Sequence, residues 1–456
     1  MKFVSVFGKR MKKSFSPALV ITVTFALLIV IGALILCLPF CSKDGQSCGF
    51  HVSLFTSCSA VCVTGLSLVD TYTQWSGFGQ AVILLMIQIG GLGFMTVFSM
   101  FMLILNEKIG IKKRMLLMQT FNLNDVHGIV DLLRRVLFLT GLIEGTGTVI
   151  LTACFSFRFP FLKSLWMGIF HSVSSFCNAG FDIMGFIAPG SSLSAFSDDP
   201  VVCITVMFLI VSGGLGFFVW NDILNHGFKF GKFTVYTRLN LIITGILLFG
   251  GAFLFGVIEW NNPLTFGTMD TGNKILNAFF QSVTTRTAGF AAVSQQGLTD
   301  GAKALSCIWM LIGGSSGSTA GGIKTVTVGI ALLSSLSVLR GGTHLTVMRR
   351  SVNDSQVSLA FSIVIMIVCL TFTGALIFTL ADGVDFLSAF YESASALGTV
   401  GLTADVTPGL STFSHCILIM FMFFGRVGIT TISTGFLFND YTEENIRYAE
   451  TKLLIG

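Results

Sequence analysis

A motif that returns four times at nearly constant spacing limits this chain more than any other feature of its sequence. The first copy is Ser57-Cys58-Ser59-Ala60-Val61-Cys62-Val63-Thr64-Gly65-Leu66. Altered copies follow at Ser175-Phe176-Cys177-Asn178-Ala179-Gly180-Phe181, Thr285-Arg286-Thr287-Ala288-Gly289-Phe290 and Leu397-Gly398-Thr399-Val400-Gly401-Leu402. Their last glycines, at 65, 180, 289 and 401, lie 115, 109 and 112 residues apart. Four copies at that interval in 456 residues make the fold a fourfold internal repeat.

Each copy is too polar to cross a bilayer and sits between strongly apolar runs. Apolar residues form 53% of the chain and charged residues 11%, against about 25% charged in an ordinary soluble domain. A soluble protein cannot hide that much apolar surface, so the chain is expected to be integral to a membrane. The apolar runs are continuous, as at 83–87, which excludes the alternation of a transmembrane barrel. The 50 glycines suit close helix packing or backbone that leaves the helix. The 11 cysteines form no CxxC and read as small apolar residues. Cys41 and Cys48 share one short loop and can pair if it lies outside the cytoplasm.

Taken in order, each repeat reads as a spanning helix, a short re-entrant helix, an extended turn and a second spanning helix. In repeat one the spans are 18–40 and 80–105, around a polar-flecked segment at 53–60. The run at 18–40 is longer than the h-region of a signal peptide and is expected to be retained. Repeat two has 130–157, 162–176 and 201–224; repeat three has 239–260, 272–284 and 304–339; repeat four has 356–380, 385–396 and 413–438. The expected fold is therefore an all-α integral membrane protein. Four parallel helix–pore loop–helix repeats surround one pseudo-fourfold pore, with eight spanning helices. Expected boundaries are 17–106, 130–226, 239–340 and 356–438 for the repeats, with loops at 107–129, 227–238 and 341–355 and termini at 1–16 and 439–456.

Charge placement orients this topology. Nineteen of the 27 Lys and Arg residues fall in the termini and the segments joining one repeat to the next, among them Lys12, Lys113, Lys232 and Arg350. The opposite connections carry acids, including Asp70, Asp182, Asp198, Asp199 and Asp300. The positive-inside rule places both termini in the cytoplasm and the turns toward the outside.

Non-helical backbone at membrane depth is tolerated only where protein buries it or water lines it. Each short helix enters from outside, so its partially negative C-terminus points inward, and four such ends favour a cation. The candidate lining is Val63, Thr64 and Gly65; Asn178, Ala179 and Gly180; Thr287, Ala288 and Gly289; and Thr399, Val400 and Gly401. No Asp or Glu stands in these turns. Backbone carbonyls can replace the shell of a weakly hydrated monovalent ion but would dehydrate Mg²⁺ or Ca²⁺ with difficulty. The bland alternative is that the turns merely pack a protein without a pore. That suits one turn better than four in register.

These four turns resemble the pore loops of the Trk/Ktr/HKT superfamily of potassium transporters over nearly the whole chain, most specifically at the third and fourth. The resemblance implies that Gly65, Gly180, Gly289 and Gly401 line a single-chain potassium filter, looser than that of tetrameric channels. With its first repeat starting near residue 18, the chain is most similar to the Ktr-type membrane subunit. K⁺ uptake across the cytoplasmic membrane follows as the expected function, K⁺ being cargo and no covalent cofactor being implied. Stimulation by Na⁺ is known in Ktr systems and is not readable here. A homodimer in membrane lipid, seated on a cytosolic nucleotide-binding regulatory subunit, is implied by the resemblance alone. No nucleotide motif is present in the chain itself, and no nucleic-acid partner is expected.

The second span of repeat three is broken by Gly313, Gly314, Ser315, Ser316, Gly317, Ser318, Thr319, Ala320, Gly321, Gly322, Ile323 and Lys324. So many small and polar residues cannot hold a helix against lipid. The resemblance implies an intramembrane gating loop here, with Arg426 facing the same constriction. Weaker echoes at 90–93, 213–216 and 425–428 read as close helix packing. Arg286, also at membrane depth, is expected to brace loop carbonyls or pair with Glu392.

Rival readings are a sodium-conducting or Na⁺/K⁺-cotransporting relative, a secondary transporter and a membrane enzyme. Parallel repeats disfavour the inverted architecture of many transporters. His51, His127, His171, His226, His344 and His415 are dispersed, and no catalytic grouping stands out.

Overall fold

The computed structural model describes residues 17–93, 129–227, 229–342 and 344–428. The terminal and inter-repeat bases at 1–16, 107–128 and 439–456, and the ends of the spans expected at 80–105 and 413–438, lie outside the described residues.

The order of elements is the same four times. Repeat one comprises α1 (Pro17–Leu36), α2 (Phe50–Val61) and α3 (Gly77–Leu92). Repeat two comprises α4 (Ile129–Ser156), α5 (Phe161–Phe176), α6 (Pro200–Leu215) and α7 (Phe217–His226). Repeat three has α8 (Val235–Glu259), α9 (Thr271–Thr284), α10 (Asp300–Leu311) and α11 (Thr325–Leu339). Repeat four has α12 (Asp354–Asp382), α13 (Phe386–Gly398) and α14 (Thr412–Val427). Between repeats three and four lies a hairpin, β1 (Thr346–Val347) paired with β2 (Arg350–Ser351), which departs from the all-helical expectation. Its turn residues Met348 and Arg349 have φ of 48° and 66°.

Side-chain caps start many of these helices. Ser76 accepts from the Gly79 N–H, Asp199 from those of Val201 and Val202, and Ser411 from that of Ser414. Such caps satisfy backbone donors that a helix start leaves bare.

Among the described residues, four helices are long and apolar enough to cross a bilayer: Ala18–Leu36, Leu133–Ser156, Val235–Glu259 and Asp354–Asp382. These are the first helices of the four repeats. The second helices differ from the continuous spans expected. The span expected at 201–224 turns by 92° between α6 and α7. The pivot is Gly216, whose φ of 84° few other residues adopt. Gly93 and Gly428 follow α3 and α14 with φ of 83° and 89°. The packing echoes are thus also helix stops.

Packing closes the four repeats into a ring. Each first helix lies along the short helix of its own repeat. Each second helix packs on the short helix of the next repeat: α3 on α5, α6 on α9 and α10 on α13. Then α14 of repeat four packs on α2 of repeat one. Gly90, Gly213 and Gly425 let the second helix also come close to the short helix of its own repeat. A side chain at those positions would collide with the carbonyls of Val61, Phe176 and Leu397, at the ends of short helices. Cys41 and Cys48 are free thiols.

Candidate functional site: four turns, a vestibule and a broken helix

The four turns share one backbone pattern. Val63, Asn178, Thr287 and Thr399 have φ of 56°, 59°, 63° and 51°, and Gly65, Gly180, Gly289 and Gly401 have φ of 97°, 69°, 80° and 93°. The residue between, Thr64, Ala179, Ala288 or Val400, is not in the positive-φ region. Left-handed backbone at four non-glycine residues is strained, and strain held in register marks a functional place.

The amides of the turns face back toward the short helices. The N–H groups of Thr64, Ala179 and Val400 each donate over 2.8 Å to the carbonyls of Ser59, Ser174 and Ser395, and that of Ala288 donates to Thr284 over 3.0 Å. The Gly65 and Gly401 N–H groups donate to the hydroxyls of Ser59 and Ser395 at 3.0 and 3.1 Å. Ser174 and Thr284 use their hydroxyls on the carbonyls of Phe181 and Phe290 instead. In a planar trans peptide the preceding carbonyl points opposite to the N–H. The carbonyls of Val63, Asn178, Thr287 and Thr399 therefore turn away from the short helices. Ser59, Ser174, Thr284 and Ser395 are support residues that the sequence reading passed over. A Ser or Thr four or five residues before the middle turn residue, in every repeat, was the available signal.

The glycines close this ring against one another. A Cβ on Gly65 would lie 2.5 Å from the Ala179 carbonyl oxygen, and one on Gly180 would lie 2.9 Å from that of Ala288. A Cβ on Gly289 would collide with the Val400 oxygen, and one on Gly401 with the Thr64 oxygen. The order 65, 180, 289, 401 and back to 65 is cyclic. The structure thus brings all twelve turn residues together.

Above the glycines lies a cavity of about 610 Å³ with Gly65, Gly180, Gly289 and Gly401 among its lining residues. Asp70, Asp182 and Asp405 contribute to its walls, and no Lys, Arg or His is among the described lining residues. Of the acids singled out in the sequence, Asp70 and Asp182 reach this vestibule; Asp198, Asp199 and Asp300 do not line it. Asp405, with φ of 62°, was missed. Burial pushes the Asp182 carboxyl up to about 6, against the Met184 N–H it accepts at 2.9 Å, and the nearby Asp70 adds to the rise. Acidic walls of this kind attract cations.

Below the turns runs the non-helical segment 312–324. It doubles back on itself, with the Gly313 N–H donating to Ile323 O over 2.8 Å and the Ile323 N–H to Leu311 O over 3.1 Å. It is then tied to two other repeats, two and four, and to α8 of its own. Ser315 and Thr319 N–H groups donate to Gly214 and Gly213 carbonyls at 3.0 and 3.3 Å. The Thr319 hydroxyl donates to Phe176 O, at the end of α5, over 3.0 Å. Gly321 lies against Thr399, where a Cβ would collide with the threonine hydroxyl. The Tyr236 hydroxyl bonds Ser315 Oγ and Ser316 O at 2.8 and 2.9 Å.

Arg426 is the clamp. Its guanidinium donates to the Thr319 and Gly90 carbonyls and, over 2.8 Å, to that of Gly91. One cation thus joins the segment to the end of α3 from the end of α14. Lys324 folds back onto Ala320 O at 2.7 Å. Of the gate residues named from the sequence, Gly313, Gly314, Ser315, Ser316, Gly317, Ser318, Thr319, Ala320, Gly321, Gly322, Lys324 and Arg426 all belong to this one assembly.

Arg286 corrects the expectation. It donates to Thr244 Oγ1 at 3.4 Å rather than pairing with Glu392. Glu392 is occupied by the Thr403 hydroxyl at 2.7 Å, the Ala404 N–H at 2.9 Å and the Thr407 hydroxyl. It braces the segment after the fourth turn.

The family profile described as "TrkH: Cation transport protein" matches residues 9–443. The chain is 36% identical to the Potassium/sodium uptake protein NtpJ of Enterococcus hirae, over 99% of this chain and 100% of that one. It is 36% identical to the Ktr system potassium uptake protein B of Bacillus subtilis, over 97% of each. The crystal structure of the potassium transporter TrkH from Vibrio parahaemolyticus superposes with a TM-score of 0.73 at 18% identity, covering 93% of this chain and 86% of that one.

Proposed function

The chain belongs to the TrkH family of cation transport proteins, and from that premise we propose that it takes up K⁺ through one pore formed by its four turns. The observation that carries this reading is the cyclic contact of Gly65, Gly180, Gly289 and Gly401 beneath a vestibule with three aspartates in its walls. Carbonyls turned away from the short helices in four repeats offer a monovalent ion a replacement for its water without a fixed carboxylate.

In this reading the filter comprises Val63, Thr64, Gly65, Asn178, Ala179, Gly180, Thr287, Ala288, Gly289, Thr399, Val400 and Gly401. Segment 312–324 is the gate, held shut by Arg426, whose charge also raises the barrier to a passing cation. The first and second helices of each repeat supply eight crossings, with both termini in the cytoplasm and the vestibule outside. The relative from Bacillus subtilis is named for a Ktr system. That name supports a membrane protein working within a transport system; a homodimer seated on a cytosolic nucleotide-binding regulatory subunit is proposed with it.

The test is K⁺ uptake in a bacterium lacking its own potassium transporters, grown at limiting K⁺, with and without a co-expressed regulatory subunit. Rescue is expected from the wild type and not from Gly289→Ser. Because the relative from Enterococcus hirae is named for potassium and sodium, Na⁺ uptake is followed in parallel. A membrane-inserted protein that carries Na⁺ and leaves K⁺ uptake unrescued refutes the reading.

A further inference from the structure

Two histidines that are far apart in the chain meet where the ring of repeats closes. His51 stands in the first turn of α2 and His415 in the first turn of α14, the pair of helices that joins repeat four to repeat one. Their ring centres are 5.1 Å apart, with the planes inclined by 34°. Neither helix needs a histidine there to fold.

The hydrogen bonding of His415 fixes its tautomer. Its Nε2 lies 2.8 Å from the Thr407 carbonyl oxygen. A carbonyl accepts only, so Nε2 carries the hydrogen and Nδ1 is left with a lone pair. That Nδ1 is buried without a partner, as is Nε2 of His51. His415 as a whole is 6% exposed. A buried polar atom left unpaired costs about 1–3 kcal/mol, so two on facing rings require an explanation.

The ring spacing suggests one. Zinc binds imidazole nitrogen at roughly 2.0–2.1 Å with tetrahedral angles. Allowing about 1.1 Å from a ring nitrogen to its ring centre, two imidazoles on one tetrahedral ion stand roughly 5.2 Å apart, centre to centre. The observed 5.1 Å between ring centres matches that spacing. The surroundings also suit a cation. Asp382 acts electrostatically on His415, and its carboxylate is held by the Ser411 N–H at 3.1 Å and by the Ser414 hydroxyl. Phe55 closes one side edge-on, its ring centre 5.6 Å from that of His415.

We propose that His51 and His415 form a binding site for a transition-metal dication of the zinc class, with His51 Nε2 and His415 Nδ1 as its protein ligands. Among the described residues no group of three or more His, Cys, Asp or Glu is placed to hold a metal. Water therefore completes the coordination, and the ion exchanges rather than being locked in. Thr407 plays the part of an outer partner, orienting the ring through its other nitrogen. A bound ion would tie the first turn of α14 to α2. The far end of the same helix carries Arg426, so the tie would act on the helix that clamps segment 312–324.

The full-length protein, purified free of metal, is titrated with zinc chloride alone and followed by calorimetry and by thermal unfolding. The expected result is one zinc per chain and a higher unfolding midpoint in the wild type. His51→Phe keeps the ring packing and removes the ligand, so both responses should disappear. Should that variant fail to fold, His51→Leu takes its place. A folded wild type that binds no zinc overturns the proposal. So does zinc binding that persists in the folded His51 variant, or binding abolished instead by Cys48→Ser.

Discussion

Removing the guanidinium of Arg426 should open the conduction path. Its three carbonyl partners are Thr319 in the broken segment and Gly90 and Gly91 at the end of α3. Of these three bonds, only the one to Thr319 reaches the segment. A hydrogen bond from a charged donor contributes about 1.5–3 kcal/mol. With roughly 2 kcal/mol lost and about 1.4 kcal/mol per factor of ten, the ratio of displaced to seated segment rises on the order of 30-fold. Loss of a fixed positive charge near the path adds to the effect, while the remaining ties through Ser315 and Tyr236 limit it. Arg426→Gln preserves much of the volume and is the variant of choice. The assay is tracer K⁺ or Rb⁺ flux into liposomes holding purified protein without any regulatory subunit, with unfolding midpoints recorded to confirm the fold. Basal flux should rise by one to two orders of magnitude, up to the limit set by the turns. A folded Arg426→Gln protein with flux equal to or below wild type would refute the clamp.

Other expectations follow from the same geometry. Tyr236→Phe removes two neutral bonds to the segment, each contributing about 0.5–1.5 kcal/mol, and should raise basal flux by less than Arg426→Gln does. Deleting residues 314–321 should raise it further, unless the segment has no gating role. Alanine at the four glycines should impair uptake in a graded way, mildest at Gly180, where the Cβ would have 2.9 Å to the next carbonyl, and worst at Gly289 and Gly401; equal effects at all four would contradict the ring. Ser59→Ala and Ser395→Ala orphan the N–H groups of Gly65 and Gly401 and should loosen ion preference while expression stays near normal. The Asp182 carboxyl, raised to about 6, is charged above that pH and neutral below it. The KM for K⁺ should therefore increase as external pH falls through about 6, and Asp182→Asn should have the high KM at every pH.

Much of this arrangement is written in the sequence, and the reasons are physical. Glycine at the end of each turn is needed because the next repeat's carbonyl stands where a Cβ would be, so the repeat shows in residue identity. The first helices show because lipid demands long apolar runs, and the break at 313–324 shows because glycine, serine and threonine fill nine of its twelve positions. Other features left weaker traces. The 92° turn after α6 depends on the φ of Gly216, and the glycine echo at 213–216 reads equally well as close packing within one span. The carboxylate of Glu392 is met by hydroxyls eleven and fifteen residues onward, Thr403 and Thr407, a loop closure that no spacing rule announces. Pairing with that carboxylate is one of two roles expected for Arg286, and shared membrane depth alone does not bring two side chains together. His51 and His415 read as dispersed because only ring closure makes repeat four a neighbour of repeat one.

The central claim is that the four turns choose the ion. It is tested most directly by the zero-current potential of the purified protein in a bilayer with K⁺ on one side and Na⁺ on the other. The account predicts a wild-type potential close to that of a K⁺-selective membrane, and a potential shifted toward zero for the reduced current that Gly289→Ser still carries. A wild type that does not distinguish K⁺ from Na⁺, or a Gly289→Ser protein with unchanged preference, would contradict it.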